Sequence, residues 1–352
     1  MGEHGQHKTL IEIQFLRAIA VLMVVVAHVH QANDRFFETP VLGQASLFGF
    51  AGVDVFFVLS GFIIHYIYRA HRGFDAHYFL NRMNRVLPLY WIFTGFAVAG
   101  YFAMGDSLTR SRDELDLIGS LTLIPTGQTP ILPVGWTLTH ELYFYLVYGL
   151  GLLLPRSWRG WAAALWAVSS LAYILAPHTI ASAWLDMMFS PFNFLFLAGI
   201  GLAALLPVMA RLRIVAPLVL AAGLAGGLVW THFNGIDGLA AAPERVAVLA
   251  PFAIGLVATF LAWSPRFPAL LARIGDWSYA IYLSHILVIS VLARIVPDLI
   301  GGSLLAGLAF HAICLIACLI LGGLTHVLLE RPLLNRGKAM VARLAPKRER
   351  TG

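Results

Sequence analysis

About ten stretches of apolar sequence, each close to the ~20 residues that carry a helix across the hydrocarbon core of a bilayer, occupy most of this chain. They fall at 11–31, 48–69, 86–104, 137–154, 160–176, 190–208, 214–232, 246–263, 278–296 and 303–329. The stretches at 137–154 and 190–208 carry polar residues or Gly and Pro near their starts and are the weakest of the set. Lipid offers no partner to backbone N–H and C=O groups, so the class expected is an all-α, polytopic membrane helix bundle. Composition agrees. Hydrophobic residues fill 59% of the 352 positions and charged residues 12%, about half the charged share of an average soluble domain. A soluble globule of this size could not keep so little charge on its surface.

The connections between apolar runs alternate in charge. With the N-terminus inside, the cytoplasmic segments hold Lys8, Arg69, Arg72, Arg82, Arg85, Arg156, Arg159, Arg211, Arg213, Arg266, Arg273 and a basic stretch from Arg331 to Arg350. The opposite side holds Arg35, Arg110, Arg112, Arg245 and Arg294 among Asp34, Glu38, Asp106, Asp113, Glu114, Asp116, Asp186, Asp237, Glu244 and Asp298. An even number of spans with this bias places both termini in the cytoplasm. The net charge of +6 therefore reports membrane topology rather than nucleic-acid binding, because the basic residues sit in short clusters instead of one stripe. The run Leu117 to Ile124, in the longest external connection (105–136), is too short to span and reads as a re-entrant or interfacial helix. Cys314 and Cys318 share a helix face inside an apolar run and lack nearby histidines, so they read as packing residues and no metal is expected. The polar start from Met1 to Thr9, followed by a long apolar run without a small-residue cleavage pattern, reads as a retained first helix rather than a signal peptide.

Ionisable residues inside spans are costly and point to function. The first span carries Arg17 and His28. Eleven residues of α-helix turn these side chains to within about 20° of each other and separate them by about 16 Å. An elongated ligand with phosphates at one end and a reactive thioester at the other fits that spacing, as coenzyme A does. His30 lies about 200° around the helix from its neighbour but one, which makes His28 and His30 a poor metal pair. In the second span Asp54 is a carboxylate that must find a donor, and Ser60-Gly61 permits close helix approach. Arg82 and Arg85, three apart at the start of the third span, offer two guanidinium forks suited to phosphate. Glu141, near the outer end of the fourth span, can orient an imidazole and raise its basicity. Arg273 and Ser278 lie near the inner mouth of the ninth span, with His285 about two turns deeper. Glu330, at the inner end of the tenth, is placed to pair with Arg82 or Arg85.

In this order the residues resemble the membrane-bound acyltransferase 3 family. The most specific elements are Arg17 with His28, ten residues between them, and Arg82 with Arg85. The runs Phe56-Phe57-Val58-Leu59-Ser60-Gly61-Phe62, Trp136 to Glu141, Ser278-Tyr279-Ala280-Ile281-Tyr282-Leu283-Ser284-His285 and Glu330-Arg331-Pro332 are also similar to family motifs. The resemblance covers nearly the whole chain. It implies O-acylation of a carbohydrate hydroxyl in or across the bacterial inner membrane, on an exopolysaccharide, lipopolysaccharide or lipid-linked glycan. The donor it implies is cytoplasmic acyl-CoA, with acetyl-CoA expected, acting as a co-substrate rather than a permanently bound cofactor. Carried onto this sequence, the catalytic residues are His28, Glu141 and Asp54. The donor-binding residues are Arg17, Arg82, Arg85, Arg273, Ser278, Tyr282 and His285. The expected organisation is a membrane-embedded acyltransferase domain over 1–335 and a basic cytoplasmic tail over 336–352, without the SGNH hydrolase domain that some relatives append. Expected partners are acyl-CoA, a carbohydrate or glycolipid acceptor, membrane lipid and proteins of glycan biosynthesis.

A secondary transporter or flippase would share the span count and the buried charges. The two halves of the sequence show no repeat of polar motifs, however, and the arginines gather on one surface with carboxylate and imidazole toward the other. The topology is tested with Asp113→Cys and Asp237→Cys, each treated with a membrane-impermeant maleimide in intact spheroplasts. Both are expected to label from outside, and labelling that requires a permeant reagent at both positions reverses the orientation.

Overall fold

The computed structural model of the protein describes residues 3–36, 41–71, 76–104, 116–175, 182–301 and 303–344. Glu38, Arg72, Asp106, Arg110, Arg112, Asp113, Glu114 and the end of the basic tail, 345–352, lie outside the described residues, as does the side chain of Lys8. No strand occurs among the described residues. The helices are α1 (Glu3–Phe36), α2 (Ala51–Tyr68), α3 (Ala76–Met104), α4 (Leu117–Thr122), α5 (Gly135–Gly151), α6 (Arg156–Leu175), α7 (Ala183–Phe189), α8 (Phe192–Leu205), α9 (Val215–Asn234), α10 (Ala242–Trp263), α11 (Ala269–Ile300), α12 (Leu304–Thr325) and α13 (Arg331–Leu344). A 3-10 segment, Gln44–Phe50, leads into α2, and a π-helical turn, His326–Glu330, joins α12 to α13.

The protein is an all-α, multi-pass membrane protein. Seven helical segments among the described residues are long and apolar enough to cross a bilayer: Ile11–Arg35, Gln44–Tyr68, Ala183–Leu212, Val215–Asn234, Ala242–Trp263, Ala269–Ile300 and Leu304–Leu344. They coincide with seven of the stretches read from the sequence. The other three stretches fall on α3, α5 and α6, which are also helical, α5 having 17 residues.

Packing forms two units: Met1–Arg69, Ala167–His178 and Ser190–Gly323 in one, and Ala70–Trp166, Thr179–Phe189 and Leu324–Gly352 in the other. In the first unit α1 packs on α11, α2 on α8, and α9 on α10. Glycines set the closest approaches, as expected where apolar lipid gives helices no hydrophobic reason to associate. A Cβ on Gly61 would overlap the carbonyl oxygen of Phe196, and one on Gly199 would overlap that of Val58. A Cβ on Gly275 would likewise overlap the Gln14 carbonyl, which fixes α11 against α1.

Contact order within this unit gives helix direction. Along α1 and α11, Gln14 lies against Gly275, Arg17 bonds Ser278 and His28 meets His285, so the two helices run parallel. Along α2 and α8, Phe57 meets Phe192, Gly61 lies against Phe196 and Gly199 lies near the Phe62 amide, and these also run parallel. Two spans pointing the same way are separated by an odd number of crossings. Both pairs therefore require an odd number of crossings between α2 and α8, where α3, α5 and α6 are the long helices described. All three crossing would give the ten spans expected from the sequence.

In the second unit, α3 packs against α5 and α13. Asn84 donates through Nδ2 to the Leu334 carbonyl (3.1 Å). The short helix α4 hangs from the middle of α3. The Tyr90 hydroxyl donates to the Ser120 carbonyl (2.6 Å) and the Trp91 indole N–H to the Leu121 carbonyl (2.8 Å). Asp116 caps α4 by accepting from the Gly119 N–H (2.7 Å), and Ser120 Oγ accepts from the Ile131 N–H (2.8 Å). Leu117, Ile118, Leu121 and Ile124 are exposed, so the segment turns apolar side chains outward while two of its backbone carbonyls are engaged by α3. Arg159 donates to the carbonyls of Leu154 (3.0 Å), His71 (3.0 Å) and Leu152 (2.7 Å), and Arg156 to that of Ala70 (3.1 Å). Arg159 thus ties the turn between α5 and α6 to residue 71, and Arg156 ties the start of α6 to residue 70.

The close approach of α2 and α8 yields a stability prediction. Gly199→Leu is expected to lower stability in detergent by about 1–3 kcal/mol through overpacking. Gly201→Leu, with no atom within 4 Å of its added Cβ, should stay near wild type. Thermal unfolding followed by size-exclusion recovery measures both, and equal losses would remove the α2–α8 contact from the account.

Candidate active site

In the first unit the polar residues of α1 face a stripe on α11. Ser278, Tyr282 and His285, spaced by four and three residues, share one helix face and are all buried. Arg17 Nε donates to Ser278 Oγ (3.0 Å). About 16 Å farther along α1, the His28 ring lies edge to face with that of His285, centroids 4.8 Å apart. Phe50, from the 3-10 segment, closes on His28 from another side at 4.8 Å. The shared face read from helical phase is therefore present, and α11 supplies a partner at each end of it. Arg273, one turn before Ser278, is exposed.

The two imidazoles have defined tautomers. His28 Nδ1 lies 2.9 Å from the Val24 carbonyl, and His285 Nδ1 lies 2.7 Å from that of Tyr282. A carbonyl oxygen only accepts, so Nδ1 carries the proton on both rings and Nε2 carries the lone pair. His140 and His311 bond their own helices in the same way.

Asp54 is fully buried, and the donor it requires is Arg245, in the first turns of α10. The Arg245 Nη2 to Asp54 Oδ2 distance is 2.9 Å. The same nitrogen donates to the Phe50 carbonyl (3.1 Å), and the guanidinium stands over the Phe192 ring, 5.5 Å from its centroid. Sequence reasoning placed Arg245 among the charges of an external connection. The signal available was an arginine two residues after Pro243, at the head of an apolar run, in a chain with a buried carboxylate to match.

The second unit holds Glu141, Arg82 and Arg85. Tyr145 links the first two: its hydroxyl donates to Glu141, and the Arg82 guanidinium lies 6.0 Å from its ring centroid. Tyr78 in turn donates to the Tyr145 carbonyl (3.0 Å). Arg85 pairs with buried Glu330, as its position at the inner end of the tenth stretch suggested. His326, one turn before Glu330, supplies a second partner to that carboxylate through Nδ1 (2.8 Å). The π-helical turn spanning the two is a geometry frequently found at functional sites. Sequence reasoning missed Tyr145 and His326, both of which act through residues it had named.

Comparison with known proteins follows this geometry. A family model described as an acyltransferase domain matches residues 10–323. The chain is 33% identical over 317 residues to the exopolysaccharide production protein ExoZ of Rhizobium meliloti, covering 84% of this chain and 93% of the relative. It is 27% identical over 359 residues to the acyltransferase MdmB of Streptomyces mycarofaciens, covering 90% and 89%. Nodulation protein 10 of Rhizobium leguminosarum bv. viciae is 27% identical over 348 residues, covering 84% and 88%. No solved structure matches the chain.

A buried ion pair loses far more when one partner is removed than when both are. Asp54→Asn is expected to cost about 3–5 kcal/mol by leaving the buried Arg245 charge without its counter-ion. The double variant Asp54→Leu with Arg245→Met should recover most of that loss. Thermal unfolding of the set in detergent measures the coupling, and strictly additive losses would show that the pair is not a unit.

Proposed function

The chain belongs to the acyltransferase 3 family, and on that premise we propose that it is a bacterial inner-membrane O-acyltransferase using cytoplasmic acyl-CoA to acylate a carbohydrate hydroxyl. Acetyl is the expected group. A carbohydrate acceptor is supported by the exopolysaccharide role in the name of the Rhizobium meliloti relative. The observation that carries the reading is the α1–α11 seam, with a guanidinium bonded at one end and two imidazoles together at the other. A donor with phosphates at one end and a thioester at the other matches that polarity, and the family match favours transfer over the transporter reading.

In the proposed reaction the acceptor oxygen attacks the thioester carbonyl carbon while its proton passes to His28 Nε2. The new C–O bond forms, the C–S bond breaks, and the proton held by His28 is available to the departing CoA thiolate. A sugar hydroxyl is a poor nucleophile at neutral pH, and imidazole suits proton removal there. The bond from Nδ1 to Val24 supports this role because it leaves the lone pair on Nε2. Arg17, Arg82, Arg85 and Arg273 are assigned to the phosphates of the donor, which planar forks hold better than an ammonium does. Glu141, held by Tyr145, is assigned to the chemical step, and Asp54, held by Arg245, to positioning the acceptor.

Turnover and donor affinity should separate on mutation. His28→Ala is expected to lower kcat by about 10²–10⁴ while CoA still binds. Arg17→Ala and Arg82→Lys should chiefly raise the donor KM, by about ten- to a hundredfold. Coenzyme A release from radiolabelled acetyl-CoA, with equilibrium binding in detergent, measures both. Full activity in His28→Ala removes it from the chemistry. A kinetically competent acetyl group recovered on His28 replaces direct transfer by an acyl-enzyme route.

A further inference from the structure

We propose that His285 belongs to the acceptor side of the active site, its Nε2 receiving a hydrogen bond from a carbohydrate hydroxyl adjacent to the one that His28 deprotonates. This assignment rests on the acyltransferase reading above and moves His285 away from the donor.

Three observations carry it. First, His285 is completely buried, yet its Nε2 has no hydrogen-bond partner. Nδ1 is committed as a donor to the Tyr282 carbonyl at 2.7 Å, with that of Ile281 at 3.2 Å, so Nε2 is a buried acceptor that no protein donor reaches. Leaving such an atom unsatisfied is costly, which calls for a visiting donor. Second, the neighbouring imidazole cannot be that donor, because the bond from His28 to Val24 makes its Nε2 an acceptor as well. The rings meet edge to face, 68° apart at 4.8 Å, rather than edge to edge as a shared proton would require. Third, the surroundings are aromatic. Phe50 lies at 4.8 Å from His28, Tyr282 at 5.7 Å from His285, and Phe56 at 5.9 Å from Tyr282. Among the described residues no three His, Cys, Asp or Glu side chains cluster as a metal site requires.

Two adjacent imidazole lone pairs ask for a ligand with two adjacent O–H or N–H donors. The reacting end of acyl-CoA is a thioester, whose oxygen and sulfur only accept. A sugar presents neighbouring hydroxyls along its ring edge, and its C–H faces pack against aromatic rings. One hydroxyl on His28 and the next on His285 would fix which oxygen is acylated. His285 is in these terms a catalytic-site contact that selects the position of attack.

The test uses full-length protein in native membranes, which contain the natural acceptor, with radiolabelled acetyl-CoA as the probe. His285→Phe keeps ring shape and burial but removes the lone pair. It is expected to lose at least a hundredfold in turnover while the affinity of the purified protein for coenzyme A stays within twofold. His285→Gln, which restores an acceptor atom, should regain about tenfold over the Phe variant. His285→Gly supplied with free imidazole should regain activity that packing alone would not return. Loss of coenzyme A affinity in step with turnover would return His285 to the donor side and overturn the proposal. So would a Phe variant with more than half of wild-type turnover. Should the Phe variant not be recovered as monodisperse protein, the imidazole experiment decides, and absence of rescue counts against the proposal. His28→Ala runs alongside. An inactive His28→Ala beside an active His285→Phe sinks this assignment alone, whereas activity in both sinks the underlying reading.

Discussion

The seam between α1 and α11 is the constraint on which the first unit depends. Gly275 brings the backbones together, and only then do the short reaches of Ser278 and His285 suffice to meet Arg17 and His28. A larger residue at position 275 would push apart both contacts at once, although it touches neither. Lipid makes this coupling strict. Polar side chains within spans cannot fall back on water, so their partners must come from a neighbouring helix at the right height. The Asp54–Arg245 pair obeys the same rule between α2 and α10.

How much of this was legible in the sequence follows from what periodicity and charge can express. The phase of Arg17 and His28 was readable because 3.6 residues per turn is a property of one helix. The partner of Glu330 was narrowed to two arginines because all three lay at the same expected depth, and Arg85 pairs with it. Arg245 was assigned to a loop because its depth depends on where α10 begins, and Pro243 sets that start closer to Asp54 than hydropathy suggests. His326 escaped notice because its role arises from a π-helical turn, a local change of pitch that no regular spacing announces. The stretches on α3, α5 and α6 were named from sequence, and α5, at 17 residues, falls just short of a full span by length. The direction of neighbouring helices asks for an odd number of crossings in that region.

Arginines occupy different physical settings in this protein. Arg156 and Arg159 spend their N–H groups on backbone carbonyls at helix ends. Arg245 is locked to a buried carboxylate, and Arg85 to another at the base of α13. Topological charge bias explains why such residues are abundant on one side, and it does not distinguish these settings. Their partners do: an arginine bonded to carbonyls is part of the scaffold, whereas Arg82 lies over the tyrosine that also holds Glu141.

The suspension of α4 from α3 bears on how such a protein can diversify. Tyr90 and Trp91 both donate to main-chain carbonyls of α4, and a carbonyl is present whatever the side chain. The attachment is therefore indifferent to the sequence of most of what it holds. Leu117, Ile118, Leu121 and Ile124 can be exchanged for other apolar residues without cutting either tether. A lineage can thus rewrite the exposed surface of this segment one residue at a time while its attachment to α3 stays fixed.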